Sequence, residues 1–92
     1  MTIRQLAGTT AVVTGASRGF GRAISVSLVE RGAHVVGVAR NQELLAELQE
    51  QLGKAFTPEV ADVADPAVAT QLIADYRPQT VVLNAGVSSL AR

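Results

Sequence analysis

The richest chemistry in this chain lies in Thr14-Gly15-Ala16-Ser17-Arg18-Gly19-Phe20-Gly21. A diphosphate must approach the backbone closely, and at the glycines a Cβ would both obstruct that approach and forbid the φ values of a tight turn. If a helix follows, its first N–H groups and the positive end of its dipole face the same anion. A strand-to-helix turn can also need glycine for packing alone, so the surrounding elements carry the distinction. Three further clusters stand out: Arg40 with Asn41, Asp62 with Val63, and Asn84-Ala85-Gly86.

The elements that must position these residues can be read from hydrophobic period and capping. Residues 11–13 form a short β-favouring run halted by Thr14 and Gly15, which predicts a buried first strand. From Gly19 to about Arg31, Phe20, Ile24 and Leu28 recur every fourth residue, and Ala23 and residues 26–29 widen the stripe. Arg31 is expected in the last turn, with Gly32 just beyond at positive φ. Residues 34–39 predict a second strand, interrupted by Arg40 and Asn41. Asn41 caps a second helix whose apolar face is Leu44, Leu45, Leu48 and Leu52, with Gly53 after its end. Residues 55–63 contain Pro58, which lacks a ladder N–H and so predicts an edge strand. Asp65 and Pro66 open a third helix with Val68, Leu72, Ile73 and Tyr76 inward, and Pro78 closes it. Residues 80–83 predict a fourth strand running into Asn84.

The order βαβαβαβ means a parallel sheet with helices on its faces. Right-handed crossovers then give a Rossmann-type α/β fold with strand order 3-2-1-4, an incomplete doubly wound arrangement in which Pro58 falls on an edge. Each of the four clusters follows, or closes, a different strand. In a parallel sheet those ends share one rim, where ligands of open α/β sheets bind beside the reversal of strand order.

Composition removes several alternatives. The 92 residues are 48% hydrophobic and 17% charged, a balance that favours folding over disorder. Eight basic and eight acidic residues give a formal net charge of +0, so no long-range field gathers nucleic acid or an anionic membrane. Apolar runs fall far short of the roughly 20 residues a membrane helix needs, and no secretory signal is supported. Cysteine is absent, which excludes disulfides and thiolate chemistry, and a cytoplasmic location is expected.

In order and spacing, the octapeptide, Asp62-Val63 and Asn84-Ala85-Gly86 resemble the TGxxxGxG, DV and NAG motifs of the short-chain dehydrogenase/reductase family. Phe20 stands where Ile or Leu is more common in that family. The resemblance covers the whole chain and implies that residues 1–92 are the amino-terminal, cofactor-binding half of an oxidoreductase. It also implies a nicotinamide dinucleotide held by Gly15, Ser17, Arg18, Gly19, Phe20 and Gly21 and by the other three clusters. An NAD site wants an acidic residue after the second strand, and Ala39-Arg40-Asn41 offers none. Arg40 can instead pair with a 2′-phosphate through its planar fork, and Arg18 is similar to a second basic residue of NADP-preferring members. NADP(H) is therefore expected over NAD, the other reading being that both arginines are solvated surface cations.

By the same resemblance, the Asp62 carboxylate accepts from the adenine amino group and the Val63 N–H meets a ring nitrogen. Spacing alone equally allows Asp62 simply to end an edge strand. Asn84 is expected to tie the fourth strand to the glycine turn, while Ala85 and Gly86 leave room for the ribose. Asp65 reads as a cap and His34 as a residue at the far end of the sheet.

Family members transfer hydride with a Ser, a Tyr and a Lys in a YxxxK arrangement, and none can be assigned here. Tyr76 is the only tyrosine, and Thr80 stands where the lysine would be. The leading expectation is the cofactor portion of an NADP(H)-dependent enzyme acting on a carbonyl or alcohol. A non-catalytic dinucleotide-binding or sensing module is the alternative. A fourth strand left at an edge would also expose Val81, Val82 and Leu83, which predicts self-association or another chain held there.

Overall fold

A computed structural model describes residues 6–17 and 19–83. Four parallel strands, β1 (Thr10–Thr14), β2 (His34–Ala39), β3 (Phe56–Val60) and β4 (Thr80–Val82), form one sheet in the order β3-β2-β1-β4. The helices α1 (Gly19–Glu30), α2 (Gln42–Leu52) and α3 (Pro66–Tyr76) alternate with them. This is the expected topology, and Pro58 sits on the edge strand where its missing N–H costs the ladder least.

The central strands are buried on both faces, as parallel sheets require. Val13, Val35, Ala16 and Phe56 pack with Leu45 and Leu48 of α2, while Ile24 and Leu28 of α1 close the same side. Val12, Val36 and Val38 point the other way and meet Leu72 of α3, with Val68 and Tyr76 beside it. The period-2 alternation along β1 and β2 thus allots two helices to one face and one to the other. Fully burying each such Val, Leu or Phe contributes roughly 1.5–3 kcal/mol.

Gly37 permits the tightest of these contacts. A Cβ there would lie 2.2 Å from Phe56 Cζ and 3.0 Å from Ala16 Cβ, so the ring occupies the space that any other residue would fill. Phe56 is 1% exposed and thereby anchors the edge strand to the core.

Capping follows the sequence closely. The Asn41 side chain accepts from the Leu44 N–H at 2.9 Å, and the Asp65 carboxylate accepts from the Ala67 N–H at 3.0 Å with Pro66 at the helix start. Gly32 and Gly53 take φ of 100° and 70° just past α1 and α2. The end of α3 is different. Arg77, not a glycine, adopts the left-handed conformation at φ 46°, its N–H donating to the Ile73 carbonyl at 2.9 Å before Pro78 turns the chain away.

Several sequence expectations need correction. Helix α1 ends at Glu30, one residue early, so Arg31 lies past it although its N–H still donates to the Ser27 and Leu28 carbonyls. Phe20 does not join the inner stripe and is 71% exposed, because it belongs to the first turn of α1, a full turn ahead of Ile24. Ala23 is exposed as well. Ile73 lies at the open margin of α3, 51% exposed. The third strand begins one residue late and stops at Val60, because Asp62 folds the chain into a turn.

A brace joins α3 to the sheet edge: the Tyr76 hydroxyl donates to the Glu59 carboxylate. That hydrogen bond, reinforced by partial burial and by the negative charges of Glu59 and Asp75, pushes the phenol up to about 12. At the other end of the sheet, His34 Nε2 and Thr57 Oγ1 lie 2.7 Å apart and link β2 to β3.

Two outcomes follow from this packing. Gly37→Ala should lower stability by about 1–3 kcal/mol through overpacking, and adding Phe56→Leu should recover part of the loss; thermal melts of the single and double variants compare them. Since Tyr76 is the only tyrosine, ultraviolet titration reads it directly. Its ionisation should centre near pH 12 in the folded chain and near pH 10 in denaturant. A raised folded value means that stability from the brace is intact below pH 10 and is lost as pH climbs from there through 12.

Candidate cofactor-binding site

Because all strands run parallel, the segments following them emerge on one side of the sheet. Register makes this concrete: Thr14 pairs with Val38, Val13 with Val82, and Ala39 with Val60, so the four strands end within a residue or two of a common line. The glycine turn, Arg40 and Asn41, Asp62 and Val63, and Leu83 all lie just beyond that line. The rim sits where the winding reverses, between β1, which leads to β2, and β4 on its other side.

The glycine turn is held to its neighbours by its backbone. The Ala16 N–H donates to the Val38 carbonyl at 3.2 Å, which stitches the turn onto the end of β2. Gly15 and Gly19 take φ of 64° and 60°, the left-handed region that favours glycine. Ala16 and Ser17 are buried beneath the turn, and Gly21 is buried where α1 meets the sheet. Deeper in that helix, the Ser25 hydroxyl donates to the Gly21 carbonyl at 2.8 Å.

Space and charge at the start of α1 suit an anion. Among the described residues, a Cβ on Gly19 would meet nothing within 4 Å, so none of them closes off the start of the helix there. Its first turn contains no acidic residue that would neutralise the dipole or repel a phosphate. Phe20, exposed beside the opening, adds an apolar surface to an otherwise polar turn.

Arg40 is exposed immediately after β2, with no acidic residue adjacent to it in sequence. Asn41 is partly committed, since its side-chain oxygen caps α2 and only its NH₂ group remains to meet a ligand. At the third position, the Ala61 N–H donates to the Ala39 carbonyl at 3.0 Å as the last bond between the two segments. One Asp62 oxygen then accepts from the Ala64 N–H at 2.9 Å and the Asp62 carbonyl accepts from the Asp65 N–H at 3.1 Å. Asp62 therefore shapes its own turn, and its exposed carboxylate has a second oxygen to accept with. Val63 is half-buried against the α3 side of the sheet.

Arg18, Asn84, Ala85 and Gly86, all expected at this site, lie outside the described residues. A tie between strand end and glycine turn is nevertheless present in a residue that sequence reasoning passed over: the Thr14 hydroxyl donates to the Val82 carbonyl at 3.3 Å. Its signal was available, because a threonine ending a central strand directly before a glycine turn has its hydroxyl at the rim. Among the described residues no group of three or more His, Asp or Glu is arranged to hold a metal ion, and no helix is long and apolar enough to cross a membrane.

Residues 9–91 match the family model described as short chain dehydrogenase. The chain belongs to the short-chain dehydrogenase family. It is 37% identical over 86 residues to the 3-oxoacyl-[acyl-carrier-protein] reductase FabG of Salmonella typhimurium, a match covering 88% of this chain and 35% of that protein. It is 40% identical over 77 residues to the "Probable NADP-dependent dehydrogenase in aabA 3'region" of Dichelobacter nodosus, covering 79% of this chain and 73% of that one. Among solved structures, the closed form of a serine dehydrogenase complexed with NADP+ superposes with a TM-score of 0.65 at 34% identity, covering 71% of this chain and 26% of that chain. The chain thus spans about a third of the length of the Salmonella reductase.

The Asn41 cap on α2 has a measurable stability. Asn41→Ala should cost about 0.5–2 kcal/mol of stability, and Asn41→Asp should retain most of it; chemical denaturation of both variants measures the difference.

Proposed function

We propose that this chain is the cofactor-binding portion of an NADP(H)-dependent oxidoreductase acting on a carbonyl or alcohol. The observation that carries the reading is the convergence of the glycine turn, Arg40 and Asp62 at the carboxyl ends of β1, β2 and β3. Membership of a dehydrogenase family and relatives named as NADP-dependent support it.

The residues present suit the dinucleotide. Gly15, Ser17, Gly19, Phe20 and Gly21 would bring backbone N–H groups and the dipole of α1 to the diphosphate, where an unoccluded Gly19 permits close approach. Arg40, together with Arg18, would take the 2′-phosphate by charge-assisted hydrogen bonds, and the sequence after β2 lacks the carboxylate that would favour NAD. The Asp62 oxygen not spent on Ala64 would accept from the adenine amino group, with the Val63 N–H on a ring nitrogen. The NH₂ of Asn41, adjacent to Arg40 in sequence, would donate to the same phosphate. Asn84, Ala85 and Gly86 would border the ribose. When bound, the nicotinamide would give a hydride to a carbonyl substrate in its reduced form or take one from an alcohol in its oxidised form.

Phosphate and adenosine contacts of this sort fix the cofactor without choosing the substrate. Substrate selection and proton transfer therefore fall to residues beyond these contacts, in keeping with a chain that spans 35% of the Salmonella reductase.

A charged hydrogen bond contributes about 1.5–3 kcal/mol. Arg40→Ala should therefore weaken NADPH binding by roughly ten- to a hundredfold and leave NADH binding unchanged. Calorimetric titration of the chain with both cofactors measures this, and tighter binding of NADH than NADPH by the unaltered chain would overturn the assignment.

A further inference from the structure

Asp62 and Val63 belong to the link of residues 61–65 between β3 and α3. Its β3 end is fixed by the Ala61 N–H, which donates to the Ala39 carbonyl at 3.0 Å. Its other end is fixed to Asp62 itself. The Ala64 N–H donates to the Asp62 carboxylate, the Asp65 N–H donates to the Asp62 carbonyl, and the Asp65 side chain caps α3. The direction of the free Asp62 oxygen is therefore tied to the place where α3 begins.

Helix α3 is lightly seated. Its inner stripe is Val68, Leu72 and Tyr76, spaced by four residues, and Leu72 alone among the residues of the helix is fully buried. At a rise of roughly 1.5 Å per residue, Leu72 lies about 6 Å along the axis from Tyr76 and about 9 Å from Pro66. A helix free to rock about Leu72 would move its start further than its end, and would carry Asp65 and the Asp62 turn with it. Binding groups must be held to within about 0.5 Å of their productive geometry, so such rocking would blur the contact that Asp62 makes.

The brace from Tyr76 removes that freedom. Phe56 faces α2, so Glu59, three residues on, faces α3; it is the last residue but one of β3 and pairs in register with Val38 of β2. The Val38 carbonyl also accepts from the Ala16 N–H of the glycine turn, so Glu59 is anchored beside the part of β2 that supports that turn. The Tyr76 hydroxyl donates to the Glu59 carboxylate, which closes residues 59–76 into a loop with Asp62 inside it. With its phenol pushed up to about 12, Tyr76 keeps the donated proton throughout the neutral range.

We infer that Tyr76 and Glu59 are positioning residues for the adenine end of the cofactor site, their hydrogen bond fixing the direction in which Asp62 presents its free carboxylate oxygen. Both act through Asp62 and neither meets the cofactor. The inference rests on the NADP(H) reading and adds to it which half of the dinucleotide the brace serves. The adenine contact depends on the brace because α3 carries the Asp62 turn. The 2′-phosphate contact does not, because Arg40 directly follows β2. A brace that served stability alone would not separate the two.

The test titrates the 92-residue chain calorimetrically with NADPH, with NADH and with the hypoxanthine analogue of NADPH, in which an oxygen replaces the adenine amino group and offers Asp62 no donor. The unaltered chain should prefer NADPH to this analogue by roughly tenfold or more, the share of one charged hydrogen bond. Tyr76→Phe keeps the ring that packs beside Leu72, and Glu59→Ala removes the bond from its other side. Each should reduce that preference to less than about threefold and leave the preference for NADPH over NADH unchanged. Glu59→Gln retains an acceptor and should retain the adenine preference. Thr57→Val, which breaks the His34 link on the same strand, should retain it as well. A full adenine preference in either Tyr76→Phe or Glu59→Ala overturns the inference and leaves the cofactor reading standing, as does an equal loss in Glu59→Gln or Thr57→Val. An unaltered chain that binds NADPH and its analogue alike overturns the Asp62 contact and the inference with it, and one that binds no NADPH overturns the cofactor reading as a whole.

Discussion

The parallel pairing of β1 with β2 on one side and β4 on the other is the constraint on which the rest of the structure depends. A strand with parallel neighbours on both sides cannot be reached by hairpins, so every connection must cross a face of the sheet. Right-handed crossovers then send the chain outward over one face to β3 and back over the other to β4. The winding reverses at β1, and the segments that follow the strands open there along one rim. Functional geometry in this chain is a consequence of that reversal.

Burial enforces the pairing. Ala11, Val12 and Val13 are between 0% and 3% exposed, and their alternate side chains serve two different clusters. Slipping β1 by one residue would exchange the two sets and leave Val12 facing α1 and α2, where Phe56 already fills the space above Gly37. The tie from Thr14 to the Val82 carbonyl and the bond from Ala16 to the Val38 carbonyl extend this order beyond the strands into the glycine turn. The turn is thus positioned by its neighbours on both sides as well as by its own glycines.

The two edges of the sheet are built to opposite ends. β3 is closed off by Pro58 and braced from α3 through Tyr76 and Glu59, and His34 meets Thr57 at its base. β4 is short, uncharged and bordered by apolar surface.

Features governed by a few neighbouring residues were legible in the sequence. Asn41 as a cap, Asp65 and Pro66 as a helix start, positive φ at Gly32, Gly53 past the end of α2, and Pro58 on an edge each depend on backbone conformation or missing donors that the residue type dictates locally. Strand order also followed, because alternation of elements combined with a single crossover hand leaves few arrangements. The rest depends on partners far along the chain. The meeting of Gly37 with Phe56, the brace from Tyr76 to Glu59, the tie from Thr14 to Val82 and the exposure of Phe20 and Ile73 are set by which surfaces the winding brings together. Residue type and spacing thus chose the elements and the kind of ligand they could serve, and the packing of distant segments chose which side chains are covered and which stand open at the rim and beside β4.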